Sequence, residues 1–105
     1  MACWTLDTSF QGISNDSLYG NSVSIRNDYA LVGAPYDNSF GVVYFYKRAN
    51  LSSPWVLVTS FQGEDPCGNF GWSVALDKTY ASSAIVGDPG YDNSLGKVYF
   101  YDLSG

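Results

Sequence analysis

The sequence predicts an all-β protein built from two copies of one unit. Aromatic residues, which suit half-buried sheet surfaces, make up 17% of the 105 residues. Eleven Gly, together with clusters of Asn, Ser and Asp, supply turns. No stretch shows the apolar spacing of an amphipathic helix, and a nine-residue segment occurs twice with seven identical positions. These observations favour short strands joined by turns, arranged in duplicate.

The internal repeat covers nearly the whole chain. Residues 4–12 recur at residues 55–63, and 24 of the 43 positions aligned over residues 4–46 are identical in the second copy. We therefore expect one domain that contains repeat one at residues 4–54 and repeat two at residues 55–105.

Each repeat is predicted to form four short strands separated by turn signals. The predicted strands are residues 4–10, 21–26, 30–33, 41–47, 55–61, 72–77, 84–87 and 97–102. The alignment pairs residues 29–30 with 80–81 and treats residues 82–84 as an insertion. Four strands in about fifty residues, repeated, are typical of β-propeller blades. A sandwich of two duplicated meanders is the alternative.

Short motifs in both repeats resemble the FG-GAP repeat, best known from the propeller of integrin α subunits. The FG element is Phe70-Gly71 in repeat two and Tyr19-Gly20 in repeat one. The GAP element is Val32-Gly33-Ala34-Pro35 and, in repeat two, Val86-Gly87-Asp88-Pro89. The resemblance implies a β-propeller made of four-stranded antiparallel blades.

One departure from the family concerns calcium. The integrin-type repeat often carries an Asp-rich, Ca²⁺-binding loop between its FG and GAP strands, and Ca²⁺ prefers six or more oxygen ligands. The corresponding connections, residues 26–29 and 77–83, hold no more than one acidic residue between their strands. We therefore predict neither a metal site nor any other cofactor.

The resemblance also implies an incomplete pair of blades. In the family the strand equivalent to residues 4–10 closes a blade at the rim, and here it has no blade before it. The second blade in turn lacks its rim strand. Strand exchange between copies repairs both defects and removes exposed strand edges. Because propellers have four to eight blades, we expect a homotrimer or homotetramer of six or eight blades. A fragment of a longer propeller is the alternative.

The repeated Tyr-Asp-Asn-Ser motif is the most site-like feature of the sequence. An aromatic ring beside Asp and Asn suits sugar binding, although the same residues build tight turns. Trp72 has no aromatic counterpart in repeat one and adds a further candidate. The candidate ligand-binding residues are Tyr36, Asp37, Asn38, Tyr91, Asp92, Asn93 and Trp72.

Antiparallel strand order places the loops that contain this motif at one end of the sheets. The loops at that end contain the acidic residues Asp16, Asp37, Glu64, Asp65, Asp88 and Asp92 and no Lys or Arg. We therefore predict an acidic end.

Composition excludes several function classes. The net charge is −5 with five scattered basic residues, which argues against a nucleic-acid partner. No apolar run is long enough to insert into a membrane. The chain has no His, so neither the usual zinc sites nor a His-based nucleophile relay is available, and we predict no catalytic residues. Two sequons, Asn15-Asp16-Ser17 and Asn50-Leu51-Ser52, favour an extracellular or secreted location.

The leading hypothesis is a non-enzymatic recognition protein. It would be an oligomeric β-propeller that presents repeated weak sites for a glycan or protein ligand, as a lectin does. The alternative is a structural or cell-adhesion module that binds other proteins; a hydrolase is a third class.

Overall fold

The computed structural model describes residues 5–77 and 83–103. The strands are β1 (Ser22–Arg26), β2 (Tyr29–Ala34), β3 (Val42–Lys47), β4 (Val56–Gln62), β5 (Ser73–Asp77), β6 (Ser83–Asp88) and β7 (Lys97–Asp102). They form two antiparallel sheets, a first sheet with the order β1-β2-β3-β4 and a second sheet with the order β5-β6-β7. The all-β prediction is confirmed.

The predicted strand at residues 4–10 is the one that differs. Residues 5–12 contain no strand, and Trp4 lies outside the described residues. A strand needs a partner edge for its backbone groups. This segment instead lies against one face of the first sheet, where the rings of Phe10 and Tyr46 stack with centroids 4.9 Å apart. The prediction of a strand here is wrong for the single chain.

The register of the strands also corrects the position of the insertion. Ala30 pairs with Tyr46 in the first sheet, and Ala84 pairs with Tyr101 in the second. Ala84 is therefore the structural counterpart of Ala30, although the sequence alignment assigned it to the insertion. The additional residues precede Ser83, and residues 78–82 lie outside the described part.

The repeated Tyr-Asp-Asn-Ser motif forms a helical turn in each repeat, at Asp37–Ser39 and at Tyr91–Ser94. Asn38, Asp92 and Asn93 have φ angles between 51° and 57°, a left-handed conformation that Asn and Asp tolerate better than most residues. The following Gly41 and Gly96 have φ angles of 82° and 84°. The turns predicted from these residues are confirmed.

The hydrophobic core lies between the two sheets. The first sheet contributes Leu31, Val43 and Phe45. Repeat two contributes Phe70, Ala84 and Val86, and all six residues are at most 5% exposed. Alternation along each strand sends these side chains to the facing surfaces of the sheets. Burying them provides most of the stabilisation that holds the two repeats together.

Candidate functional site

The first predicted ligand loop has an inward-facing carboxylate. Asp37 is only 6% exposed and accepts a short hydrogen bond from the hydroxyl of Tyr44. Asn38 donates through Nδ2 to Oε1 of Gln62 at 2.7 Å, and the ring of Tyr36 is half-exposed. Two of the three polar groups proposed for a ligand are therefore already engaged within the protein.

The second predicted ligand loop is more open. Asp92 and Asn93 are exposed and line a polar cleft of about 480 Å³ together with Asp65 and Asn69. The backbone N–H of Asp92 donates to Oδ2 of Asp65 at 2.7 Å, which ties the two loops together. The ring of Tyr91 faces the ammonium of Lys97, whose Nζ lies 4.6 Å from the ring centroid.

Trp72 lies apart from both loops. Its side chain is 44% exposed and lines a groove with Ser73, Gly87 and Gly96 on the second sheet. The seven predicted ligand-binding residues therefore occupy three separate places in the fold. Sugar binding at any of them stays a prediction.

The acidic end also contains a positively charged side chain, that of Lys97. Nζ of Lys97 lies 2.6 Å from Oε1 of Glu64, which also accepts a hydrogen bond from Tyr99 at 2.9 Å. Hydrogen bonds from Lys97 and then Tyr99 lower the pKa of Glu64. Backbone hydrogen bonds from Asp92 and Cys67 likewise lower the pKa of Asp65. The loops of this end contain no Lys or Arg, and Lys97 at the start of β7 adds one positive charge beside them.

One acidic side chain of that end is fully buried. Asp88 is 1% exposed, and its Oδ1 accepts a hydrogen bond from the backbone N–H of Asn69 at 2.6 Å. Its Oδ2 has no hydrogen-bond partner within the described part of the chain. In repeat one the same place holds the apolar Ala34.

Of the two connections expected to lack a calcium site, the one at residues 26–29 is fully described, whereas residues 78–82 of the other lie outside the described residues. Between β1 and β2, Oδ1 of Asp28 lies 2.9 Å from Nε of Arg48, so that carboxylate is paired with a cation. Within residues 5–77 and 83–103 no three His, Cys, Asp or Glu side chains are grouped so that they could hold a metal ion. The thiol of Cys67 is exposed and free, whereas Cys3 lies outside the described part.

A close backbone contact joins the two repeats. The dipeptide Phe70-Gly71 lies against Gly33 and Gly41 of the first sheet, and a Cβ on either glycine would overlap a carbonyl oxygen of the dipeptide. Oγ of Ser22 donates to the Gly71 carbonyl at 2.8 Å. The ring of Phe70 is completely buried. The FG and GAP elements therefore meet between the repeats, a pairing that their order in the sequence did not predict.

The outer surfaces of both sheets carry apolar side chains that match the buried ones. We call the outer side of the first sheet the front face; it consists of Val23, Ile25, Ala30, Val32 and Tyr46, which line a groove of about 400 Å³ together with Phe10. Tyr46 stacks against Phe10 and is only 7% exposed. We call the exposed side of the second sheet the back face; it consists of Ile85, Val98 and Phe100. Val23 and Ile25 are 67% and 64% exposed, and Phe100 is 76% exposed.

The repeat explains why these surfaces are apolar. The front-face residues correspond to Val74, Leu76, Ala84, Val86 and Tyr101, and the back-face residues correspond to Leu31, Val43 and Phe45. Those counterparts form the core between the sheets. The front face thus carries the counterparts of the residues that the second sheet contributes to the core. The back face carries the counterparts of the residues that the first sheet contributes.

A segment of repeat one matches a known protein family. Residues 12–46 match the family model of the FG-GAP repeat. This segment of repeat one is similar to an FG-GAP repeat. Its Tyr19-Gly20 and its Val32-Gly33-Ala34-Pro35 lie at the positions that Phe70-Gly71 and Val86-Gly87-Asp88-Pro89 occupy in repeat two. No curated protein matches the chain.

The FG-GAP repeat indicates a protein-interaction or adhesion module. Such repeats are typical of extracellular, integrin-like proteins. Among the described residues, none of the helices has the length and apolar character needed to cross a lipid bilayer.

Proposed function

We propose that the chain is a non-enzymatic interaction protein whose sheets are propeller blades, and that copies stack head to tail into a closed ring. The observation that carries the proposal is the recurrence of the core residues on the two outer faces. The back face of one copy would cover the front face of the next. This contact would repeat the one that the chain already makes between its own sheets.

The apolar character of the two faces supports this proposal. Contiguous exposed apolar surface on a small protein usually marks an interaction site. A contact between unlike faces generates a ring when its rotation closes. Three or four copies would give six or eight blades, within the range that propellers use.

The strand edge of β7 supports the same arrangement through strand addition. In the first sheet Val43 pairs with Phe61 and Val42 pairs with Gln62. Transferred by the repeat, Phe10 of a second copy would pair with Val98, and Gln11 with Lys97. Phe61 of β4 stacks on Tyr101 with centroids 4.3 Å apart, just as Phe10 stacks on Tyr46. Phe10 therefore contacts the first sheet at the position where Phe61 contacts the second sheet.

The contact between copies would be weaker than the internal one. Oγ of Ser24 accepts a hydrogen bond from the N–H of Leu76 at 3.1 Å across the internal contact. Ala75 occupies the corresponding place on the second sheet and has no hydroxyl. The internal contact also joins segments of one chain, so it pays no loss of translational freedom. We therefore expect concentration-dependent assembly.

Variants with one damaged face each test the proposal. Ile25→Glu places a charge on the front face, and Phe100→Glu places one on the back face. Each variant alone should be a folded monomer by light scattering, since every copy then lacks one of its two surfaces. Mixed in equal amounts, they should form a one-to-one dimer through the remaining intact pair of faces.

Leu51→Glu provides the matched control, because Leu51 is 82% exposed in a turn outside both faces and the variant carries the same added charge. It should assemble like the unmodified chain. A monomeric unmodified chain at micromolar concentration would refute the proposal. A mixture of the two face variants that stays monomeric would refute the head-to-tail contact.

Strand addition has its own test in a chain whose Cys3 and Cys67 are replaced by Ser. Chains with Gln11→Cys and chains with Lys97→Cys, mixed and oxidised, should form a disulfide between copies, because paired strand positions lie within disulfide reach. Ser9→Cys with Lys97→Cys is the control for a register slipped by two residues, and it should link poorly. Assembly without the first disulfide would reject strand addition alone.

Carbohydrate binding is a second candidate, and the observation that favours it is the cleft at Asp65, Asn69, Asp92 and Asn93. Its exposed side chains, Asp92 and Asn93, offer a carboxylate and an amide, which are the groups that fix the hydroxyls of a sugar. We propose that this cleft, repeated around the ring, gives weak sites that act together. A glycan array probed with the assembled protein tests the idea, and binding to no glycan would reject it. Together with an extracellular location, this would make the protein lectin-like.

A further inference from the structure

The second sheet carries an unfilled copy of the site that holds Phe70-Gly71. We call Ser22, Gly33 and Gly41 the first socket, because they contact this dipeptide. Their counterparts Ser73, Gly87 and Gly96 form the second socket, which opens into a groove of about 530 Å³ on the back face.

The second socket is open where the first is closed. A Cβ on Gly41 would overlap the Phe70 carbonyl oxygen, whereas a Cβ on Gly96 would meet nothing closer than 3.8 Å in residues 5–77 and 83–103. A Cβ on Gly33 would overlap both the Gly71 carbonyl oxygen and Oγ of Ser22. On Gly87 only the side-chain hydroxyl of the neighbouring Ser73 remains as a close contact. What is missing at the second socket is the dipeptide itself.

The matching dipeptide exists in the same chain. Its Tyr19 ring packs edge-on against Tyr44 of its own sheet, with centroids 5.5 Å apart, as Phe70 packs against Tyr99 at 5.0 Å. Gly20 has a φ of 95°, close to the 93° of Gly71. The N–H of Gly20 donates to the Gly33 carbonyl at 3.1 Å, and the N–H of Gly71 donates to the Gly87 carbonyl at 3.2 Å. A Cβ on Gly20 would have no neighbour within 4 Å among the described residues, so this side of Gly20 is open with respect to them. Tyr19-Gly20 is therefore held in the conformation that Phe70-Gly71 uses for docking.

We propose that Tyr19-Gly20 of a second copy docks into the second socket and sets the rotation between copies. The Oγ of Ser73 would donate to the Gly20 carbonyl, as Ser22 does to Gly71. Gly87 and Gly96 must lack a side chain because the Tyr19-Gly20 backbone of the second copy would pass directly over them. This inference rests on the proposed assembly and identifies the residues that determine its geometry.

The test compares Gly87→Ala with the unmodified chain in a dilution series followed by light scattering. Gly87 does not have a left-handed φ, and the one close neighbour of the added carbon is the Ser73 hydroxyl, which can rotate to another rotamer. The fold should therefore accept Ala, and strand signals in circular dichroism should persist. Assembly should weaken about tenfold or more, because the added carbon meets backbone that cannot move aside. Ser60→Thr adds one carbon to an exposed position of β4 and should leave assembly unchanged.

The dipeptide side is tested with two replacements of Tyr19. Tyr19→Phe reproduces the residue found at Phe70 and should preserve assembly, whereas Tyr19→Ala should weaken it. If Gly87→Ala assembles as tightly as the unmodified chain, the socket is wrong although the assembly stands. If the unmodified chain does not assemble, the proposed function fails first. A Gly87→Ala chain that assembles with a different mass would also overturn the docking mode.

Discussion

The hydroxyl of Tyr44 donates to the buried carboxylate of Asp37, and the two side chains satisfy each other beneath the first helical turn. In repeat two the hydroxyl of Tyr99 instead donates to Glu64, whose side chain is 59% exposed. The same tyrosine in the same strand position thus serves a buried partner in one repeat and a hydrated partner in the other.

This difference predicts unequal effects of removing the two hydroxyls. Tyr44→Phe should lower the free energy of unfolding by about 1–3 kcal/mol, because it leaves a buried carboxylate oxygen without its donor. Tyr99→Phe should cost at most about 1 kcal/mol, since water can replace its hydroxyl at Glu64. Urea unfolding of both variants measures the difference, and equal losses would contradict the structure.

Alkaline pH should destabilise the protein through its tyrosines. Burial, followed by the hydrogen bond to Asp37, raises the pKa of Tyr44 to about 12. Burial also raises the pKa of Tyr19 and Tyr99. The unfolded chain releases these protons near pH 10, so the stability they contribute is complete below pH 10 and is lost as the pH rises toward 12. Phenolate absorbance should show at least three of the nine Tyr titrating late; a single transition near pH 10 would contradict this.

The internal contact between the sheets predicts that equivalent glycines differ in cost. In a Phe100→Glu background, which removes assembly from the measurement, Gly33→Ala should destabilise the chain by about 1–3 kcal/mol through overlap with the Gly71 backbone. Gly87→Ala should cost less, at most about 1 kcal/mol, because its Cβ displaces only the Ser73 hydroxyl and Ala restricts the unfolded chain. Thermal unfolding measures both, and a larger loss at Gly87 would refute the assignment of the contact.

The two ligand-loop carboxylates should separate binding from stability. Asp37→Ala should lower the melting temperature, since it removes the acceptor of Tyr44. Asp92→Ala should leave the melting temperature nearly unchanged, because its side chain is exposed, but should weaken binding to any glycan found on the array. Loss of binding in Asp37→Ala alone, with Asp92→Ala binding normally, would move the site to the first repeat.

Calcium independence is expected from the connections between the FG and GAP strands. A chelator should leave the melting temperature unchanged, because Asp28 is paired with Arg48 and lacks neighbouring acidic residues in its connection. Differential scanning calorimetry with and without the chelator checks this. A fall of about ten degrees, more than the loss of 1 kcal/mol causes in a domain of this size, would indicate a metal site.

Seven of the eight strands could be predicted from alternating apolar residues and turn signals, because those patterns act locally along the chain. The strand at residues 4–10 carries the same pattern as β4 but forms no strand, since pairing depends on a partner edge that sequence alone does not supply. The structural counterpart of Ala30 is likewise set by strand register. Register makes it Ala84, whereas residue identity alone favours Ala81 in Tyr80-Ala81.

The candidate site was less predictable than the fold. The Tyr-Asp-Asn-Ser turns form as expected, yet burial separates Asp37 from Asp92, and burial depends on which strands lie beneath each turn. The contact of Phe70-Gly71 with Gly33 and Gly41 joins residues far apart in the chain. One signal could have indicated it: each of these glycines recurs in the other repeat at a strand or turn position.

The exposed front and back faces have a consequence for how the protein survives dilution. A ligand that binds only the folded form stabilises that form by mass action, and for this chain the ligand would be the chain itself. Its melting temperature should therefore rise with protein concentration. At low concentration the chain would be monomeric, with Ile25 and Phe100 exposed to water, and would unfold most readily. Proteolysis would therefore degrade the dilute protein faster than the concentrated protein.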